Sequence, residues 1–144
     1  MSGVTVVAFA LAVVFCALSL LHTGWALGLG SGQVQAVPAR PDGQPVFRPG
    51  PWATLAVAGL LLLAALLVTQ RAGLGREWIP AGLVGPGCWG VSAALVLRAI
   101  GEFRYVGFFK RVRGTAFARM DSRLYSPLAL LLGLGAGLVA YTAP

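Results

Sequence analysis

Acidic residues are scarce in this chain: four in 144, against eleven lysines and arginines. Histidine occurs once, at His22, and cysteine twice, at Cys16 and Cys88, far apart and without a CxxC spacing. A usual zinc site needs three or four histidine, cysteine or carboxylate ligands. No metal site is therefore expected, and nothing in the chain names a cofactor. Two isolated thiols inside apolar runs read as buried and inert. No phosphate-binding glycine loop, nucleophile elbow or carboxylate pair is present. Charge of either sign makes up only 10% of the residues, less than half of the ~25% found in ordinary soluble domains. With 58% hydrophobic residues and a mean hydropathy of +0.82, the chain lacks the polar faces a soluble fold of this size needs. What remains is an integral membrane protein forming one domain over residues 1–144.

The apolar residues gather into four runs, each long enough to cross about 30 Å of hydrocarbon at ~1.5 Å per residue. The first covers about 4–22. No lysine or arginine precedes it, so it reads as a retained helix rather than a signal peptide. Its small residues Ala8, Ala12 and Cys16 recur every four positions and allow a neighbouring helix to approach closely. Residues 23–51 follow, with Pro38, Pro41, Pro45, Pro49 and Pro51. Proline at that density excludes helix and sheet interior, so 28–50 is expected to be an irregular loop folded back over the bundle. The second span is 52–70. Trp78 marks re-entry to the third, 80–100, where Pro80 suits the first turn and Pro86 is expected to kink the helix or open its first turns. The fourth, 127–141, is expected to start with Ser126 as N-cap and Pro127 at the first position. Gly133 and Gly137 form a GxxxG in it, which by itself does not separate contacts within the chain from contacts between chains.

Between the last two spans, residues 101–126 and the flanking Arg98 carry seven of the eleven basic residues: Arg98, Arg104, Lys110, Arg111, Arg113, Arg119 and Arg123. Phe103, Tyr105, Phe108, Phe109, Phe117 and Tyr125 are interleaved with them. A basic, aromatic segment between two apolar spans belongs where lipid headgroups meet water. Apolar positions at Tyr105, Phe109, Val112, Ala116, Met120 and Leu124 fall in steps of three or four. This predicts one or two helices lying in the interface, broken at Gly114, with the cations on the opposite face. The loops 23–51 and 101–126 share a side, and that side carries eight basic residues against two, Arg71 and Arg76, on the other. The positive-inside rule then places both loops in the cytoplasm and both termini outside.

At the cytoplasmic ends of the spans, His22, Arg98 and Glu102 lie at one depth, with Asp121 the other acid a loop could bring back. The depth argument predicts one polar cluster of His22, Arg98 and Glu102, with an Arg98–Glu102 pair one turn apart.

Three stretches, LHTGWALGLG, PVFRPGPWATLAVAGLL and RAIGEFRYVGFFKRVRGTAFARMDSRLYSPLALLLGLG, together resemble the small four-span bacterial membrane proteins grouped as domain of unknown function 3995. The resemblance covers nearly the whole chain. It singles out His22, Trp25, Phe47, Pro49, Arg98, Gly101, Phe103, Tyr105, Gly107, Phe108, Phe109, Lys110, Phe117, Asp121, Tyr125, Ser126 and Pro127. Glu102 stands where the family pattern carries an aspartate. Ala129 stands where it carries a cysteine, so that thiol is not essential here. The resemblance implies a four-span fold in a bacterial cytoplasmic membrane and no established activity.

The expectation is therefore an all-α, four-helix membrane bundle capped on its cytoplasmic face by an interfacial helix and the proline-rich loop. Three function classes fit it. One is a non-enzymatic protein binding anionic lipid, or a membrane-protein partner or second copy, through the basic cap. The residues assigned to that role are Trp25, Arg98, Arg104, Lys110, Arg111, Arg113, Arg119 and Arg123. The second is an enzyme acting on a lipid or isoprenoid, with His22, Glu102, Tyr105 and Asp121 as proton-transfer candidates. The third is a small transporter or transporter subunit built on the Gly/Pro-interrupted third span, against which stands the absence of charge from the middle of every span. Nucleic acid is excluded as a partner despite a pI near 10.8, because the charge lies against a membrane.

Overall fold

The computed structural model describes residues 2–142, and among them there is no strand, only an isolated bridge between Ala39 and Pro45. Helix α1 spans Gly3–Ala26, α2 Pro51–Arg71 and α3 Ala81–Ile100. A short α4, Ala116–Met120, runs through a π-turn at Asp121–Tyr125 into α5, Ser126–Thr142. Counting α4, the π-turn and α5 as one continuous helix, Ala116–Thr142, four helices are long and apolar enough to cross a membrane.

Local chemistry sets most of the helix starts. The Ser2 hydroxyl accepts the Thr5 N–H at the head of α1, and Pro51 takes the first position of α2, where its missing N–H is no loss. Pro80 caps α3 rather than occupying its first turn. Pro86 lies inside α3, which continues through it as one helix.

The fourth helix departs most from expectation. It begins at Ala116, eleven residues before Pro127, with the Thr115 hydroxyl accepting the Ala118 N–H. Ser126 is therefore not an N-cap, nor Pro127 a first residue. A proline within a helix lacks one N–H and presses on the carbonyl four residues back. Here the turn before Pro127 is widened, and the Ser126 N–H reaches the Asp121 carbonyl five residues back. A π-turn of this kind accommodates the proline and lets the helix run on. The apolar stripe at Ala116, Met120 and Leu124 thus belongs to this helix. The expected interfacial helix does not form over 101–115, where glycines and a left-handed residue hold the chain in turns.

α1 packs along α2, and α3 along α5, as the two most extensive pairings. Small residues permit this. A Cβ added at Gly133 would lie 3.0 Å from Val96, and one at Gly137 2.8 Å from the Ser92 hydroxyl. The GxxxG therefore serves contact within the chain, between α5 and α3. Ala8 and Ala12 are buried as a close-approach face of α1, while Cys16 is exposed.

The main cluster of the core lies in one half of the bundle. Ala8, Leu11, Ala12 and Phe15 of α1 meet Ala64, Ala65, Leu67 and Val68 of α2. Val84 and Cys88 of α3, and Leu132, Ala136, Val139 and Ala140 of α5, complete the cluster. All lie toward the end where α1 and α3 start and α2 and α5 finish. At the opposite end, beneath the two long loops, α1 and α2 stay in contact through the Ser19 hydroxyl and the Ala58 carbonyl, and a pocket opens among the four helices. The loop between α1 and α2 contains a 3-10 turn, Gly32–Ala36, that packs on α4. The two loops thus cover the same end.

Candidate functional site

The site starts from a tight backbone crossing. Gly101 ends α3 at φ +87°, its N–H bonded to the Leu97 carbonyl, and Gly107 sits beside it at φ +90°. A Cβ on Gly101 would fall 1.8 Å from the Val106 carbonyl oxygen, and one on Gly107 2.3 Å from that of Ile100. The segment between them is closed by Glu102. Its carboxylate accepts the N–H groups of Arg104 (3.1 Å), Tyr105 and Val106 (3.0 Å). Phe103 is held at φ +68°, a left-handed conformation that a bulky residue adopts only when its surroundings impose it.

This crossing presents both polar groups of the Gly107 backbone to a buried ionic centre. Asp121, fully buried in the π-turn, accepts from Arg98 Nη2 on Oδ1 at 2.7 Å. Its Oδ2 accepts from Lys110 Nζ at 2.9 Å, from the Gly107 N–H at 2.9 Å and from the Ser126 hydroxyl at 3.0 Å. Lys110 Nζ also donates to the Gly107 carbonyl at 2.9 Å and to the Ser122 hydroxyl at 2.7 Å, so its three protons have three acceptors. The side chain of Lys110 is 1% exposed and that of Arg98 35%. Two cations and one carboxylate leave the centre with one net positive charge. A buried charge is tolerable only when paired and hydrogen-bonded, which is met here for Asp121 and Lys110. For Arg98 it is met at one end only: Nη1 is buried without a partner among the described residues.

Below this centre lies a chamber of about 450 Å³. Its walls are Leu18 and Leu21 of α1, Val57 and Leu61 of α2, Leu95 of α3, and Leu128, Ala129 and Leu132 of α5. His22, Trp25, Arg98, Tyr125 and Ala36 of the 3-10 turn close its loop end. His22 Nδ1 is bonded to the Leu18 carbonyl at 2.8 Å, and its ring meets Trp25 edge-on at 5.0 Å.

The expected cluster of His22, Arg98 and Glu102 does not form. Arg98 pairs with Asp121, and Glu102 is turned onto the backbone of its own loop. The physical reason is the glycine crossing, which ends α3 at Ile100 and carries Glu102 off the helical path that would have set it one turn from Arg98. His22 and Arg98 do share the chamber. Lys110 is likewise not on a solvated helix face; its ammonium is the inner partner of Asp121. Arg104, Arg111, Arg113, Arg119 and Arg123 are exposed, while Tyr105 is half-buried under the Arg104 guanidinium, 5.1 Å above its ring. Ser122 completes the coordination of Lys110, and its own neighbourhood in sequence does not mark it. The available signal was that Asp121 is the sole acid in a helix start otherwise rich in arginine.

A family model described as a protein of unknown function (DUF3995) matches residues 15–136. No curated protein and no solved structure matches the chain.

Proposed function

The chain belongs to the DUF3995 family, and we propose that it is a non-enzymatic, multi-pass membrane protein that engages anionic lipid headgroups through the loop after α3 and the start of α4. The observation that carries this reading is the sorting of charge in that segment. Arg104, Arg111, Arg113, Arg119 and Arg123 face outward beside the exposed rings of Phe103 and Phe109. Both acids of the segment are occupied, Glu102 by three backbone N–H groups and Asp121 by two cations. The outer surface is left basic and aromatic, the combination that suits a headgroup layer. The same occupation counts against an enzyme. His22 and Tyr125 line the chamber, but neither carboxylate offered as a proton-transfer group is free to serve there.

Each basic residue near an anionic surface contributes about 1 kcal/mol, roughly fivefold in affinity. In mixed micelles of zwitterionic lipid doped with phosphatidylglycerol, replacing the five arginines by glutamine is expected to cut the bound phosphatidylglycerol counted by native mass spectrometry. Raising salt toward 1 M, where the screening length falls to about 3 Å, should do the same to the unaltered protein. Phosphatidylglycerol retention unmoved by either change would overturn the proposal.

The orientation that goes with it puts the basic loop in the cytoplasm. Cysteine introduced at Glu77, between α2 and α3, is expected to react with an impermeant thiol reagent on intact cells. Cysteine at Gly114, where an added Cβ meets nothing within 4 Å, should react only after the cells are opened. The opposite pattern inverts the topology.

A further inference from the structure

We propose that the chamber beneath the loops is a binding site for a long-chain amphiphile bearing one negative charge, with the chain against the aliphatic walls and an anionic oxygen at the exposed edge of the Arg98 guanidinium. The site is separate from the surface arginines and does not depend on them. Three observations converge on it. First, the chamber is large and apolar. At about 450 Å³ it is some three times the ~150 Å³ of an engineered apolar cavity that stays dry and takes up benzene, and it falls within the ~300–1,000 Å³ of ordinary ligand sites. It is not sealed, since Leu21 and Val57 of its lining are exposed, so a chain can enter past them.

Second, the polar groups are segregated at one end. His22, Trp25, Arg98 and Tyr125 gather where the loops close over the chamber, and the remaining walls are apolar apart from backbone. A ligand that matches this lining is polar at one tip and aliphatic along its length. Third, the polar end is electrostatically incomplete. Asp121 neutralises only one of its two cations, and Arg98, which lines the chamber, is 35% exposed. Its Nη1 is enclosed by protein and out of a ligand's reach, so the guanidinium acts through its exposed edge and its charge. An anionic oxygen there would cancel the residual charge. A phosphodiester of a phospholipid and the carboxylate of a fatty acid both supply that chemistry. A neutral alcohol supplies an acceptor without the charge.

The test uses the full chain in detergent, in the variant whose five surface arginines are glutamine, so that headgroup binding outside does not contribute. Binding of phosphatidylglycerol, a C16 fatty acid, the C16 alcohol and diacylglycerol is measured by native mass spectrometry and by the shift in melting temperature. An anionic amphiphile is expected to bind about 10- to 100-fold more tightly than its neutral counterpart, as a hydrogen bond to a charged donor implies. Whichever of the two anions binds more tightly identifies the source. Ala129→Phe, which fills the chamber from α5, should abolish the binding, and so should Val57→Trp at the rim should the first variant not fold. Equal affinity for charged and neutral amphiphiles would overturn the anion assignment. Undiminished binding in a folded, filled variant would overturn the chamber as the site. Loss of phosphatidylglycerol from the surface-arginine variant alone, with chamber binding intact, would separate the two sites.

Discussion

Replacing Asp121 by asparagine is expected to destabilise the protein by about 3–5 kcal/mol, because it leaves two buried or half-buried cations without their counter-charge. Asparagine preserves shape but keeps one accepting oxygen, and its NH2 must face donors, so the loss reports charge and acceptor capacity rather than packing. Lys110 suffers most. Its side chain is 1% exposed, and no water replaces the lost carboxylate without opening the loop. Arg98, at 35%, recovers part of its solvation. Against a total stability of ~5–15 kcal/mol for a typical domain, this is a large fraction. Lys110→Met should cost less than Asp121→Asn, since Asp121 keeps Arg98, Gly107 and Ser126 as donors. The double variant should cost less than the sum of the two, the mark of residues within one network. Unfolding in mixed micelles measures all three. An Asp121→Asn protein within 0.5 kcal/mol of the unaltered one, on the scale of surface substitutions, would mean that the centre is wet and that its ion pairs hold nothing together.

The division between what the residues disclosed and what they concealed follows from how each feature is encoded. Four helices long and apolar enough to cross a membrane are legible because hydrocarbon thickness is written directly into the length of apolar runs, and every helix end except one falls within a few residues of expectation. The exception, Ala116 in place of Pro127, has a specific cause. A Ser-Pro pair is an ordinary helix start, and nothing local reveals that a π-turn will carry a helix through it. The stripe from Ala116 to Leu124 was helical in period and in fact, but its extension back through Phe109 and Tyr105 was coincidence. Gly101 and Gly107 fix that stretch instead, by a contact between residues six apart that periodicity cannot register. The ion pairs were hidden for a related reason. Arg98 and Asp121 are 23 residues apart, and an i,i+4 acid at Glu102 offered a nearer partner that the glycine crossing removes. Basic residues can be counted from sequence but not sorted, so sequence alone groups Lys110 with the arginines although it is the one cation of the loop turned inward. The chamber was wholly illegible, because it opens only among helices from four parts of the chain.

The glycine crossing makes a second, sharper expectation, since it separates two costs that glycine substitutions usually combine. Gly43 and Gly107 both have φ in the left-handed region, +83° and +90°. At Gly43 an added Cβ meets nothing within 4 Å, whereas at Gly107 it would strike the Ile100 carbonyl and the Gly101 Cα, the nearest at 2.3 Å. Gly43→Ala should therefore show the conformational term alone, roughly 1–2 kcal/mol. Gly107→Ala and Gly101→Ala carry that term and a backbone-on-backbone clash that no rotamer can relieve. Relief requires the crossing to open. Opening it pulls the Gly107 N–H from Asp121 and the Gly107 carbonyl from Lys110, and each bond lost leaves a buried group of Asp121 or Lys110 short of a partner, at a further ~1–3 kcal/mol. The loss at Gly107 should thus exceed that at Gly43 by at least about 2 kcal/mol, enough to reduce accumulation of the protein in the membrane. Gly114→Ala, with ordinary φ and open space around it, should be close to neutral. Limited proteolysis separates the cases. Cleavage should appear within 101–115 for the Gly101 and Gly107 variants and be unchanged for Gly43 and Gly114. A Gly107→Ala protein as stable and as protected as Gly43→Ala would show that the crossing yields easily, and the buried ionic centre would then have to be held by the helices alone.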